Sequence, residues 1–199
     1  MERLRNNLNK SLNERRISRA EDIRNALNIK WKDLEGKKIV DVGAGMGEFV
    51  AEAQSRGINA FSFDINDFSN NNATQSNYDA ISEHEREEYY PNDHVIGDHT
   101  ELPFPDETFD LVVSSFAGPM VAKGADDKVN VVKEILRVVK TSGEVRVGSY
   151  PIEKDYKKFP NGRLFNPSFT ADVLNSIDGS SVEKVDRGNG TEVVYVFRK

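Results

Sequence analysis

The chain has 199 residues, 37% hydrophobic and 30% charged, which suits one folded domain with a full core and excludes a disordered chain. It has no cysteine, so disulfides, thiolate metal sites and cysteine nucleophiles are excluded, and no apolar run approaches the ~20 residues of a membrane span. The net charge of −6 divides into +5 over residues 1–32 and −11 over the rest, the wrong sign for a nucleic-acid-binding body.

Residues 2–27 read as helix. Leu4, Leu8 and Leu12 recur every fourth residue, and Ile17, Ala20, Ile23 and Leu27 continue the stripe after a phase shift near Asn13. The shift predicts one interrupted helix or two short ones, with Ser18 and Glu21 spaced as a capping box for the second. The segment lacks the apolar core of a signal peptide, which points to the cytoplasm. It reads as an amphipathic helix packed on the domain, a lid over a ligand, or a nucleic-acid arm. Its basic charge against an acidic body leads us to expect a helical lid over 1–35 and the domain proper over 36–199.

KKIVDVG, beginning at Lys37, is a short apolar strand. Glu48 to Ser55 reads as a helix closed by Arg56-Gly57, and INAFSFDI is the second strand. Two strands joined by such a helix form a right-handed parallel unit. Asn66 to Asn77 reads as a polar loop, Tyr78 to Tyr90 as a helix, HVIGD as the third strand and LVVSSFA as the fourth. Asp126 to Lys140 predicts an amphipathic helix with Val129, Val132, Ile135, Leu136 and Val139 on one face, acids first and Lys140 last. EVRVGSY is the fifth strand. Pro151 to Pro167 reads as loop, and Ser168 can cap a short helix through Ser176. VEKVD and TEVVYVFRK are joined only by Arg187 to Gly190, too few residues for a parallel crossover, so these last strands pair antiparallel.

The chemistry centres on Gly43, Gly45 and Gly47, between the first strand and the helix after it. In an open α/β sheet, ligands bind beyond the carboxyl ends of the strands, and glycines there let the backbone turn and approach them closely. The dinucleotide fingerprint G-x-G-x-x-G does not fit: the third glycine comes one residue early, and Glu48 stands where a small residue is wanted. Asp41, two residues before Gly43, would repel a pyrophosphate and attract a positively charged amino-acid group. The loop is therefore suited to an aminoacyl-type nucleoside.

Asp41-Val-Gly43-Ala-Gly45-Met-Gly47 resembles the first motif, D/E-x-G-x-G-x-G, of class I S-adenosylmethionine-dependent methyltransferases. Asp64 at the end of the second strand, "GDHTELPFPDETFDLVVSSFA" and "EILRVVKTSGEVRVGSY" resemble the segments that follow in that family, over residues ~36 to ~150. The resemblance implies a Rossmann-like three-layer α/β sandwich whose seven-stranded, mostly parallel sheet has the order 3-2-1-4-5-7-6, with strand 7 antiparallel. It implies S-adenosylmethionine as cofactor and S-adenosylhomocysteine as product. Asp41, Gly43, Ala44, Gly45 and Gly47 would line the cofactor, Asp64 would hold the ribose hydroxyls, and Ile65 would pack on the adenine. Asp98 would accept from the adenine amino group, the backbone of His99 would contact the ring, and Ser115 would also line the cofactor.

The resemblance implies a methyltransferase acting on a small molecule, with nucleic acid disfavoured because the D/N-P-P-Y/F motif is missing at Ser114 to Pro119. The other reading is a methyltransferase-fold protein that binds cofactor or a protein partner without turnover. Phe116 and Tyr150, at the ends of the fourth and fifth strands, are candidates for the acceptor pocket. No catalytic residue and no metal site are assigned. Of the three histidines, His84 and His94 read as surface groups.

Overall fold

The computed structural model describes residues 2–66, 93–115, 117–118, 125–151, 180–186 and 191–198, with side chains left out at 2–12, 125–126, 149–151, 180–186 and 191–193. The elements are α1 (Glu2–Ala26), a 3-10 turn (Trp31–Leu34), β1 (Lys38–Val42), α2 (Glu48–Ser55), β2 (Asn59–Asp64), β3 (His94–Ile96) and β4 (Phe109–Ser114). They continue as α3 (Ala125–Val138), β5 (Val139–Pro151), β6 (Ser180–Asp186) and β7 (Thr191–Arg198). The predicted loop over Asn66–Asn77, apart from Asn66 itself, and the predicted helices at Tyr78–Tyr90 and Ser168–Ser176 lie outside the described residues.

The sheet has the expected order, β3-β2-β1-β4-β5-β7-β6. Pairing is parallel through β5, and β7 runs antiparallel to both β5 and β6. Because side chains alternate across a strand, the sheet separates two apolar layers. Ile39, Leu111 and Val113 meet Phe49 and Val50 of α2 and Ile23 and Leu27 of α1 on one side. Val40, Val42 and Val112 meet Val131, Ile135 and Val138 of α3 on the other. Each fully buried side chain of this size stabilises by about 1.5–3 kcal/mol relative to exposure.

Two expectations change. α1 is one continuous helix from Glu2 to Ala26, with no break at Asn13. No Gly or Pro interrupts that stretch, and Asn13 instead accepts from Arg16 Nη2 one turn on at 2.9 Å. α3 stops at Val138, two residues early, because Val139 already pairs with Phe109 across the sheet. Lys140 therefore serves an ion pair with Asp110 at 2.8 Å rather than a helix end. Val131 and Val138, outside the predicted stripe, are fully buried, whereas Val129 and Leu136 are only half-buried.

The end of α1 belongs to the core. Ala20, Ile23, Ala26 and Leu27 are all buried. Trp31 stacks on Phe49 at 5.4 Å, Arg56 lies 4.8 Å over the indole, and Arg146 of β5 donates to the Leu27 carbonyl. α1 and α2 run parallel, since Arg16 faces Glu52 and Glu21 faces Arg56.

Candidate cofactor cleft

After Val42 the chain turns through Gly43, Gly45 and Gly47, all at positive φ (82°, 58° and 73°), a region that L side chains rarely adopt. The loop is stitched to the end of β2. The N–H groups of Gly43 and Ala44 donate to the Phe63 carbonyl at 2.7 and 3.1 Å, and Gly45 N–H donates to Asp64 Oδ2 at 2.9 Å. The glycines do different things. A Cβ on Gly43 would stand 2.1 Å from the Ala117 Cβ, so this glycine makes room for the chain leaving β4. A Cβ on Gly45 would meet nothing within 4 Å. Gly45 is the one that faces open space, and Gly47 sits at the N-terminus of α2.

Four acids surround this turn. Asp41 is 2% exposed, and its Oδ1 has no hydrogen-bond partner among the described residues. Burial, then the negative charges of Asp64 and Glu48, push its carboxyl up to about 8. Glu48, first residue of α2, is also buried, and that burial raises it against the pull of its own backbone N–H and of Arg19. Asp64 Oδ1 accepts from Asn66 N and Nδ2 at 2.9 and 3.0 Å. With Gly45 that makes three donors on a carboxylate that can take about four, so the expected grip on two ribose hydroxyls has to share the group. Asp98 is exposed. Its Oδ1 accepts from Thr100 N and Oγ1, both at 2.8 Å, and these bonds hold the carboxylate below its ordinary range, leaving Oδ2 with no protein donor among the described residues.

Three further polar atoms are buried without partners among the described residues: Arg16 Nε on α1, Ser115 Oγ, just past the end of β4, and Nδ1 of His99, just past β3. A buried polar atom left unpaired costs about 1–3 kcal/mol. Asp41, His99 and Ser115 thus gather that cost at the carboxyl ends of β1, β3 and β4, as a site awaiting a polar ligand would. Ile65, 52% exposed, stands beside them at the end of β2. The sequence offered no signal for Asn66 as the donor to Asp64, for buried Glu48, or for Ile96, 51% exposed and paired in register with Asp64. His94 is not a surface group: it is half-buried and bonded to Ser62 at 2.8 Å. Phe116, the side chain of Tyr150 and His84 lie outside the described residues.

The family described as "Methyltransferase domain" matches residues 40–147, more than half of the chain. The chain belongs to that family. As a class I S-adenosylmethionine-dependent methyltransferase domain, it is 33% identical over 125 residues to a demethylmenaquinone methyltransferase of Bacillus licheniformis. That match takes in 58% of this chain, which spans about half (49%) of the length of the curated relative. Among solved structures, the methyltransferase domain is similar to an S-adenosylmethionine-dependent methyltransferase from Aquifex aeolicus, with TM-score 0.55 and 18% identity over 81% of this chain and 82% of that one. It is similar also to one from Methanosarcina mazei, with TM-score 0.55 and 19% identity over 83% and 94%. At such identities these structures attest the fold. Among the described residues, no helix is long and apolar enough to cross a membrane and no cluster of side chains could hold a metal ion.

Proposed function

We propose that the domain transfers a methyl group from S-adenosylmethionine to a small-molecule acceptor. The observation that carries this reading is the set of unpartnered buried polar atoms of Asp41, His99 and Ser115 at the carboxyl ends of the strands, the end of the sheet at which Gly45 leaves open space. Asp41 would hold the cofactor's ammonium, whose charge offsets the burial that keeps the acid protonated. Asp64 would take ribose hydroxyls with its remaining lone pairs, Asp98 Oδ2 the adenine amino group, and Ile65 a face of the base. When bound, S-adenosylmethionine supplies an electrophilic methyl on sulfur, and S-adenosylhomocysteine is left after transfer. The protein's part is alignment and exclusion of water, with a general base needed only where the acceptor must lose its proton early.

The curated relative is a demethylmenaquinone methyltransferase, which supports a small-molecule acceptor here. Phe116 and Tyr150 remain our candidates for the acceptor wall. α1 contributes too. Its Arg16 is level with Glu52 of α2, so Glu48 is level with about residue 12, and residues 2–12 run on past the glycine loop for roughly 15 Å at 1.5 Å per residue. We assign this overhang the role of a lid over the mouth of the cleft, and residues 20–27 that of its anchor in the core.

The test is calorimetry with S-adenosylmethionine and S-adenosylhomocysteine, joined to mass spectrometry of any ligand carried through purification. Binding is expected for both compounds. A purified, folded protein that binds neither would end this reading.

A further inference from the structure

A row of side chains crosses the sheet below the glycine loop, on the side that α1 and α2 cover. Register places His94 of β3 beside Ser62 of β2, Ser62 beside Asp41 of β1, and Asp41 beside Val113 of β4. Neighbouring strands lie about 4.8 Å apart, so a hydroxyl in the middle position can serve both flanking residues. Ser62 is fully buried, and its Oγ lies 2.8 Å from His94 Nδ1. Asp41 Oδ1, on its other side, has no partner among the described residues. His94 also reaches toward the second acid of the cleft. Its Nε2 lies 3.5 Å from the Asn66 carbonyl, and Asn66 donates twice to Asp64.

We infer that Ser62 and His94 are positioning residues for the cofactor, supplying the hydrogen bond that holds Asp41 ionised when a cationic ligand enters, so that binding is coupled to loss of a proton from Asp41. The inference rests on the cofactor placement proposed above. In the empty cleft the Asp41 carboxyl keeps its proton at neutral pH, because burial and then Asp64 and Glu48 push it up to about 8. When the ligand's ammonium arrives, the Asp41 O–H bond breaks and the proton goes to the buffer. The Ser62 hydroxyl hydrogen turns to Asp41 Oδ1, and His94, as the neutral tautomer with its hydrogen on Nδ1, donates to Ser62 Oγ, so that its Nε2, 3.5 Å from the Asn66 carbonyl, makes no hydrogen bond there. A serine hydroxyl carries one hydrogen and two lone pairs, so it does both at once. One proton is lost and nothing else changes hands.

The charged groups facing Asp41 are Asp64 on β2 and Glu48 on α2. Arg19 on α1 faces Glu48, and Arg146, beyond Val113 in the same row, is engaged with Glu144 and the Leu27 carbonyl. None of them donates to Asp41 Oδ1. Since only the ionised form receives the ligand, affinity rises with pH until about 8 and levels off above it until the ligand's own ammonium begins to lose its proton. At pH 7 about one-tenth of the sites are ionised, so binding is about tenfold weaker than at the plateau.

The experiment is calorimetric titration of the full chain with S-adenosylhomocysteine, which carries the ammonium, from pH 6 to 9.5. Wild type should gain about tenfold between pH 7 and the plateau, and Asp41→Asn should give a flat profile. Ser62→Ala and His94→Phe should move the rise upward by about one pH unit, binding about tenfold weaker than wild type at pH 7 and within about twofold of it at pH 9.5. His94→Asn, which returns an N–H donor toward Ser62, should restore the wild-type profile. His94 lies half-buried on an edge strand, so its variants keep the test open should Ser62→Ala fail to fold. A flat wild-type profile, or losses in Ser62→Ala and His94→Phe that are equal at every pH, would overturn the coupling and leave the cofactor placement standing. No binding by wild type at any pH would overturn both.

Discussion

The two ends of the sheet treat polar groups in opposite ways. At the amino ends of the parallel strands, the charged side chains that reach into the structure are paired. Asp110 accepts from Lys140 and from the Lys38 N–H, and Glu144 pairs with Arg146 and Arg198. Arg137 is held by Glu134, Asp106 and two backbone carbonyls. The depression there, about 480 Å³ and lined by Asp110, Glu144 and Arg198 among others, is walled by these paired groups. At the carboxyl ends, Asp41, His99 and Ser115 bury polar atoms with no partner among the described residues. One end spends its polar groups on the fold, and the other leaves them unpaired, as the proposed cofactor placement requires.

The sharpest way to break that contrast is at Gly45. Gly45→Val should abolish measurable binding of S-adenosylhomocysteine, a loss of more than about 100-fold, because its side chain would fill the open space the loop faces. The stability cost should be only about 1–2 kcal/mol, from the positive φ. Normal binding by this variant would mean that the open face is not the ligand's.

Asp41 comes next. Its folded value lies above that of an unfolded aspartate, so its contribution to stability is fully present below about pH 4 and is lost as pH rises through about 8. The unliganded protein should lose about 1.4 kcal/mol per pH unit from this group across that window. Urea unfolding of Asp41→Asn should show the slope reduced by that amount. Matching slopes in the two proteins would remove Asp41 from the account. Asp64→Ala should follow, with cofactor affinity down at least about tenfold from the loss of charge-assisted hydrogen bonds. Unchanged affinity there would mean that Asp64 serves only the loop, through Gly45 N–H.

The sheet order and the glycine turn were legible because both rest on local pattern. Apolar runs alternate with helical periods, and the four-residue link between the last two strands admits only antiparallel pairing. What escaped depends on register. Gly43 and Gly45 are indistinguishable in the sequence, and only the approach of Ala117 separates them. His94 read as a surface group because nothing local shows that β3 sets it against Ser62. The continuous α1 escaped for a related reason. Its phase shift near Asn13 looked like a break, yet Ala20, Ile23 and Leu27 bury against α2 and the sheet, and packing rather than the stripe decides where the helix runs.

The smallest expected effect lies at the other end of the sheet. Asp110 is partly buried, which alone would raise it. The bonds from Lys140 and from the Lys38 N–H outweigh that and hold it below its ordinary value. Its contribution to stability is therefore present above the unfolded value and lost as pH falls through the folded one, the reverse of Asp41. The Lys140 pair is partly exposed and worth about 0–1 kcal/mol, and the Lys38 hydrogen bond adds about 1 kcal/mol. Asp110→Ala should thus lower stability at pH 7 by about 1–2 kcal/mol, with the difference from wild type vanishing in acid. Affinity for S-adenosylhomocysteine should stay within about twofold, since no link of the Asp41 row reaches Asp110. A tenfold loss of affinity in this variant would mean that the amino end of the sheet shapes the cleft, and that the two ends do not divide the work as their hydrogen bonds suggest.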